Sequence, residues 1–495
     1  MDPWNNLEED LAELARAGTA EVHEDGVWLA EFAGWRCEFR RQGKQGLVHV
    51  WSGERNLIRR VVGVAERAPG RIILEVQRMG RSKPGRLEIF SAEAPRAAAR
   101  ITREKFRARF RRLLEVQFPD ARIDSITAAA DRNRSFSGLY TRGTMTEGSV
   151  QWAFLGVSAA ENSSAVDGML TYGLLWLAWA RLHTHSRVVA GLRIFVPEGK
   201  GQTLQRRVPG LSPSAHVQIF EFSETSSQAR LLDESDGGNF ESWLTPRRDW
   251  ERTLAGGSDF LERVRARVAN TAAAIDSGVA AISSGEVVLR FRGLAFARYR
   301  DGRIFYGVDD NLSELRGGAW EPLDDLIRQL DLHRSGLSED PGHPLYRAAP
   351  ERWLETLVMS DPAKLDARLD PRYLYSQVPA VAADRGLLDL LGVTHDGRLV
   401  VIELKASEDI HLPLQAVDYW LRVRRHQREG DFPVYGYFPG VALDQRPPLL
   451  WLVSPGLRFH PTTDAMVAQL AAEIPLTRIS LNEKWRRGIR VVHRA

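Results

Sequence analysis

The sequence predicts a mixed α/β chain of several domains, of the α+β kind, and three observations predict it. The chain has 495 residues, which at roughly 150 residues per domain is about three domains. Hydrophobic residues make up 43% and charged residues 26%, the balance of a globular protein able to bury several cores rather than of a disordered one. Strand-rich and helix-rich stretches follow one another in an order that occurs twice. The single cysteine, Cys37, excludes an intramolecular disulfide framework and any Cys-rich zinc site. The acidic N-terminal stretch lacks the basic and apolar regions of a secretory signal. No apolar run approaches the roughly 18 residues of a bilayer span, so a cytoplasmic protein with no membrane partner is expected. The net charge of +3, from 67 basic against 64 acidic residues, is weak, and a nucleic-acid reading must rest on local charge.

Taken in order, residues 1–98 read as a β-rich module. Val27–Phe32, Leu47–Trp51 and Arg71–Val76 are short runs of β-branched and aromatic residues punctuated by Gly34, Gly43, Gly46 and Gly53. Residues 99–250 read as an α/β module. A helix over 103–118 places Phe106, Phe110, Leu113, Leu114 and Gln117 on one face and stops at Pro119. The strand 150–157, an apolar helix near 168–181 and the strand 188–196 follow. Residues 205–250 read as loops and connectors. Residues 251–345 read as a helix, near 259–277, and a second β-rich stretch, 286–308. The Pro- and Gly-rich stretch 335–350 is a boundary signal, and residues 346–495 read as a final α/β domain.

The halves repeat. Phe32-Ala-Gly34 and the later Gly43 resemble Phe291-Arg-Gly293 and Gly302, with 259 residues between the members of each glycine pair. Phe110 to Pro119 resembles Trp353 to Pro362. Trp152 to Val157, followed by a helix with Tyr172 and Trp176, resembles Val400 to Lys405, followed by a helix with Tyr419 and Trp420. A tandem duplication of a β module plus an α/β module is expected, and it requires matching strand orders.

The stretch that carries chemistry is Leu387 to Lys405. Asp396-Gly397 is a hairpin-turn signal between two apolar runs. The first run carries Asp389, and the second carries Glu403 and Lys405. Side chains alternate across a strand, so Glu403 and Lys405 share a face, and a tight hairpin brings Asp389 alongside. Acids inside an apolar strand are costly unless something binds them. A divalent cation relieves the repulsion between two of them.

Asp389, with Glu403-x-Lys405 beginning fourteen residues later, resembles the PD-(D/E)XK nuclease superfamily. It looks most like the RecB-like domain of the NucS (EndoMS) mismatch-endonuclease type. Glu351-Arg-Trp-Leu354-Glu-Thr-Leu357, running to Pro362, resembles the family's first helix. Gln415 followed by Tyr419 resembles its Q-x-x-x-Y helix. The resemblance covers about residues 350–440 and implies a restriction-endonuclease-like fold. It also implies that Asp389 and Glu403 hold Mg²⁺ or Mn²⁺ with the main-chain carbonyl of Leu404. Glu351 would be a ligand through water, preferred to Glu355 by its spacing to Pro362. Lys405 would be the catalytic lysine, and Gln415 and Tyr419 would position the phosphate or the lysine. Leu388 stands where many members have proline. The activity implied is metal-dependent hydrolysis of phosphodiester bonds, as a DNA endonuclease. The competing reading is a catalytically silent nucleic-acid-binding or defence-associated scaffold with the same fold.

If the halves correspond, Leu155 and Val157 stand where Glu403 and Lys405 do, and Ala108 stands where Glu351 does. Leucine and valine hold no metal, so residues 99–250 are expected to be a degenerate nuclease-like module. Its helix is basic, with Arg103, Lys105, Arg107, Arg109, Arg111 and Arg112, which suits phosphate contact or a solvated face. Trp28, Trp35 and Trp51 suit base stacking or core packing. A monomer with pseudo-twofold halves and a homodimer both fit.

Overall fold

Among the described residues four sheets form, with helices between and beside their strands in chain order. The structure, a computed structural model, describes residues 4, 7–16, 19–24, 27–33, 36–42, 45–51, 56–68, 71–77, 84–91, 93–131, 135–161, 163–184, 186–223, 228–237, 244–268, 272–281, 285–308, 312–316, 320–379 and 387–495. They divide into two compact units, Met1–Lys105 and Phe106–Ala495. No helix among them is long and apolar enough to cross a membrane.

In the first unit, helix α1 (Leu7–Arg16) precedes seven strands: β1 (Thr19–Glu24), β2 (Val27–Ala33), β3 (Arg36–Gln42), β4 (Gln45–Trp51), β5 (Asn56–Ala68), β6 (Arg71–Val76) and β7 (Gly85–Ser91). They form one antiparallel sheet in the order β2-β1-β7-β6-β5-β4-β3. Leu7, Leu11 and Leu14 recur at helical spacing on α1 and are buried with Val22, Val48, Ile72, Leu74, Leu87 and Ile89. The side chains of Trp28 and Trp51, and all of Trp35, lie outside the described residues.

Helix α2 (Glu93–Gln117) is longer than the 103–118 read from sequence, and its second half belongs to the second unit. There Phe106, Phe110, Leu113 and Leu114 are buried as expected, against Phe154, Phe195 and Phe222 of a sheet. That sheet comprises β8 (Ala121–Thr127), β9 (Thr141–Glu147), β10 (Val150–Gly156), β11 (Val189–Pro197), β12 (Val217–Phe222) and β13 (Ala229–Leu231), neighbouring in chain order. β8 to β10 are an antiparallel meander. After α3 (Ser163–Asp167) and α4 (Met169–His183), β11 and β12 run parallel to β10, and β13 is antiparallel. Residues 205–250 are therefore not merely connectors. They contain part of α5 (Gln202–Arg207), both last strands and the start of α6 (Arg247–Gly256). Ile219, Phe220 and Phe222 are buried on this sheet, and their apolar spacing outweighs the polar residues that flank them.

The helix expected near 259–277 ends earlier. α7 (Ser258–Arg267) is followed by β14 (Ile275–Ala281), which opens an antiparallel sheet with β15 (Glu286–Phe291), β16 (Leu294–Arg300), β17 (Arg303–Tyr306) and β18 (Ser313–Glu314). α8 (Glu321–His333) packs Leu323, Ile327 and Leu330 into the same core as Phe260, Val264, Leu289 and Phe291. Gly293, with φ +80°, lies so close to the chain at Arg352 that a Cβ there would fall 2.2 Å from the Arg352 carbonyl oxygen. Only glycine satisfies both constraints.

After α9 (Pro344–Arg347), α10 (Pro350–Ser360) precedes the last sheet: β19 (Leu369–Pro379), β20 (Leu387–Thr394), β21 (Leu399–Leu404), β22 (Leu449–Pro455), β23 (Leu476–Leu481) and β24 (Val491–Arg494), again neighbouring in chain order. β19 to β21 form an antiparallel meander. After α11 (Leu412–Glu429) and α12 (Asp431–Val434), β22 runs parallel to β21. After α13 (Thr463–Val467), β23 is parallel and β24 antiparallel. The two six-stranded sheets thus agree in order and direction strand for strand. The seven- and five-stranded sheets differ: β15 pairs with β16, whereas β2 and β3 lie at opposite ends of their sheet order.

Leu174 and Leu177 of α4 and Val417 and Trp420 of α11 belong to one continuous core. Leu211 forms an antiparallel bridge with Leu470, 259 residues later. It is flanked by Ser212 N donating to Gln469 O (2.8 Å) and Ala471 N donating to Gly210 O (2.9 Å). Such a bridge is two-fold symmetric by itself, and this one joins positions that precede β12 and β23 equally.

Candidate active site

The hairpin read from sequence is present. Gly397 turns it with φ +81°, and a Cβ there would meet the Ala442 carbonyl oxygen at 2.2 Å. All six residues of β21 are buried, because β20 and β22 cover its edges and helices cover its faces. Leu390 pairs with Ile402 and Leu391 with Val401. Continuing that register places Asp389 opposite Glu403, on one face, with Lys405 two residues on.

The three groups interact. Asp389 Oδ2 accepts from Leu404 N at 2.9 Å. Lys405 Nζ stands 3.9 Å from Glu403 Oε1 and 3.3 Å from Asp409 Oδ2. Glu403 is only 4% exposed, and its Oε2 is buried without a hydrogen-bond partner. Burial, and then the charge of Asp389, push the Glu403 carboxyl well above its ordinary range despite Lys405. Burial raises Asp389 too, against the Leu404 amide and Lys405, with Glu351 adding repulsion. Lys405 is pushed up by Glu403, Asp409 and Asp389, which together outweigh its desolvation.

Glu351, on the first turn of α10, is half-buried, and its Oε1 accepts from Ala406 N at 3.3 Å. Glu355, its rival, is buried on the same helix and accepts from Arg352 at 2.9 Å. Burial pushes it up to about 7, with Asp389 and Asp276 adding to the rise and Arg352 and Arg290 opposing it. Both helix acids therefore face the strand acids. On α11, Tyr419 is half-buried, and burial together with the charges of Glu403 and Asp389 raises its phenol. Gln415 lies one turn earlier and makes no hydrogen bond to the acids among the described residues. No three of these acids bring their ligand atoms within 4.8 Å of one another; among the described residues the group of three that does so is His426, Glu429 and Asp431. There His426 Nδ1 already pairs with Asp431 at 2.6 Å, and Glu429 with Arg425 at 2.8 Å.

Two contributors escaped the sequence. Asp409 lies in the loop after β21, where spacing rules give no partner. His411, the residue before α11, is half-buried and bonds through Nδ1 to Thr171 Oγ1 at 2.9 Å.

The other six-stranded sheet shows what stands at the matching positions. Val157 N donates to Phe195 O at 3.3 Å, as Lys405 N does to Val453 O at 3.0 Å. Leu155 pairs with Ile194 and Glu403 with Leu452. Val157 and Leu155 thus match Lys405 and Glu403 in register. Leu155 faces Arg142 where Glu403 faces Asp389. Arg142 is 5% exposed. Its Nη2 donates to Ala129 O at 2.7 Å, and the guanidinium lies over the Phe136 and Trp176 rings at 4.7 and 5.5 Å. A fixed cation and two apolar residues thus replace two acids and a lysine. On α2, Ala108 is exposed, as are Lys105, Arg109, Arg111 and Arg112, while Arg103 and Arg107 are half-buried. Arg111 pairs with Glu115 at 2.9 Å.

Comparison of the chain with protein-family models, with curated proteins and with solved structures gives no match in any of the three.

Proposed function

We propose that the protein is a metal-dependent nuclease that hydrolyses phosphodiester bonds, with DNA as substrate, and that its working site is on β20 and β21. One observation carries this reading: Asp389, Glu403 and Lys405 meet on one face of a buried hairpin, with a Glu403 oxygen left without a partner. A buried unpaired carboxylate next to another is unfavourable unless a cation is bound. The donor set, all hard oxygens, suits Mg²⁺ or Mn²⁺. The succession of a helix, three meandering strands, a helix and a parallel strand supports a restriction-endonuclease-like domain. The repeated order and direction of the two six-stranded sheets support the duplication.

Asp389, Glu403 and the Leu404 carbonyl would hold the ion, with Glu351 reached through water. Bound there, the ion would lower the pKa of a water and polarise the phosphate. The Leu404 amide fixes Asp389, so this acid needs no reorganisation to serve as a ligand. Lys405 keeps its proton and brings a positive charge to the place where charge grows on a scissile phosphate. Tyr419, raised and therefore protonated, offers a hydroxyl donor beside the acids. The first six-stranded module, with Arg142, Leu155 and Val157 at these positions, is proposed to be silent.

The test is cleavage of single-stranded, duplex and mismatched DNA by the purified chain, with Mg²⁺, with Mn²⁺ and with a chelator. Metal-dependent scission of at least one substrate is expected. Absence of scission from all of them, with either metal, overturns the enzyme reading. The basic face of α2 is proposed to touch phosphate. Changing Arg107, Arg109 and Arg111 together to Glu is then expected to weaken DNA binding about tenfold or more at low salt and to flatten its dependence on salt. Unchanged binding in a fluorescence-anisotropy titration would assign these residues to a solvated face.

A further inference from the structure

The lysine of the proposed site has a second anchor, and that anchor reaches the silent module. Asp409 presents one oxygen to Lys405 Nζ at 3.3 Å, and its other oxygen accepts from His411 N at 2.8 Å. His411 in turn bonds through Nδ1 to Thr171 Oγ1 at 2.9 Å, and its ring meets that of Tyr172 with centroids 5.7 Å apart. Thr171, buried, and Tyr172 belong to α4 of the first six-stranded module. The approach is close: a Cβ on Gly168, which caps α4, would fall 3.1 Å from His411 Cε1. The short loop from Lys405 to α11 is therefore fixed at its far end by the other half of the molecule.

We propose that Asp409 is a positioning residue for Lys405, and that the silent module holds Asp409 in place through the His411–Thr171 bond. This rests on the nuclease reading of the hairpin. The physical reason is competition between two acceptors. Lys405 stands between Asp409 at 3.3 Å and Glu403 at 3.9 Å. The carboxylate side chain at 409 draws the ammonium away from Glu403, whose oxygens stay open for a cation. With an uncharged side chain in its place, the ammonium closes on Glu403 and occupies the position that a cation needs. The degenerate half thereby acts as a brace for the working site, which accounts for a module that has lost its acids yet keeps its fold and its interface.

The test uses Asp409→Asn, Thr171→Val and the double variant in the full-length chain, with two readouts. In crystals of Asp409→Asn without metal, Lys405 Nζ is expected to move to within about 3 Å of a Glu403 oxygen. In cleavage assays Asp409→Asn is expected to lower kcat about 10- to 100-fold, as loss of a residue that orients a metal site does, with KM within about twofold. Thr171→Val, which keeps the shape of the side chain, is expected to lower kcat about threefold or more. Its effect should largely vanish on top of Asp409→Asn, because both act through one chain of contacts. A lysine that stays in place in Asp409→Asn, or a kcat within about twofold of the parent, overturns the positioning role. Independent, multiplying effects of the two substitutions overturn the link to the silent module. If the parent cleaves nothing, the nuclease reading falls, and the position of Lys405 in the variant crystals still decides the claim about Asp409.

Discussion

Glu403→Gln is expected to abolish cleavage, lowering kcat by about 10³-fold or more, and at the same time to raise Tm in metal-free buffer. Both effects follow from one buried carboxylate. Glu403 sits among apolar neighbours on β21 with an unpartnered oxygen and with Asp389 opposite. Burial, followed by repulsion from Asp389, raises its folded-state pKa well above the ordinary 4.5. The unfolded chain releases this proton near 4.5 and the folded chain only at higher pH. Glu403 therefore favours the fold below that value, and its contribution is lost as pH rises through the raised pKa. Glutamine fills the same space without titrating. The Tm of the variant should thus exceed that of the parent by about 2 °C or more at neutral pH, and the gap should widen as pH rises from about 4.5. Mn²⁺ should stabilise the parent and largely fail to stabilise the variant, because an ion that binds only the folded site adds its binding free energy to stability. Lys405→Ala separates the two roles: cleavage is lost while stabilisation by Mn²⁺ persists. Differential scanning calorimetry over pH, with and without Mn²⁺, together with the cleavage assay, reads all of this. A variant that cleaves within tenfold of the parent, or a Tm gap that does not grow with pH, removes Glu403 from the centre of the site.

What could be read from the chain and what could not have separate physical causes. The hairpin was legible because Asp396-Gly397 interrupts two apolar runs and because strand alternation fixes which residues share a face. The apolar face of α2 was legible from its spacing, but its start at Glu93 was not, since the Ala- and Arg-rich turns before Arg103 carry no apolar stripe. Residues 217–231 were misread because composition dominated the reading there. The strand β12 is short, its pattern is set by burial on a neighbouring strand, and only the sheet supplies that partner. The expectation of a repeat came from a few glycines and aromatics, and the two six-stranded sheets do agree in strand order and direction. The β-rich sheets differ in strand order, so the agreement does not reach them. Arg142 went unnoticed because its meaning lies in its register against Leu155, a relation between strands. Asp409 and His411 share that limit. Each acts through a residue distant in sequence or in a loop, where no periodicity exists to find it.

Arg334 carries the largest structural effect expected of a single substitution. It is fully buried, and its guanidinium donates to five main-chain carbonyls: Phe291 (3.1 Å), Arg292 (2.9 Å), Leu345 (2.8 Å), Ala348 (2.6 Å) and Ala349 (3.2 Å). Its plane lies 4.7 Å from the Trp353 ring centroid. Burial, and the nearby charges of Arg486 and Arg292, disfavour the cation, so those carbonyl dipoles and the ring are what hold it. The carbonyls come from two places: the end of β15, where Arg292 and Gly293 have φ of +45° and +80°, and the turn before α10, where Ala349 has φ +40°. A guanidinium fork can tie these strained turns together, because its five N–H groups point outward in one plane. Arg334→Met leaves the carbonyls buried without donors, at a cost of about 3–5 kcal/mol, which should appear as a Tm lower by roughly 5 °C. Arg334→Lys should recover little of this, since one ammonium cannot span five acceptors. The consequence reaches the proposed chemistry. α10 begins at Pro350 and carries Glu351 and Glu355 toward Asp389. Loosening its first turn should therefore cost about tenfold in kcat even below the unfolding temperature, where Arg334→Lys remains folded. If Arg334→Met melts within about 2 °C of the parent, the carbonyl fork is not what fixes α10. If Arg334→Lys cleaves at the parental rate, the helix acids do not depend on that turn.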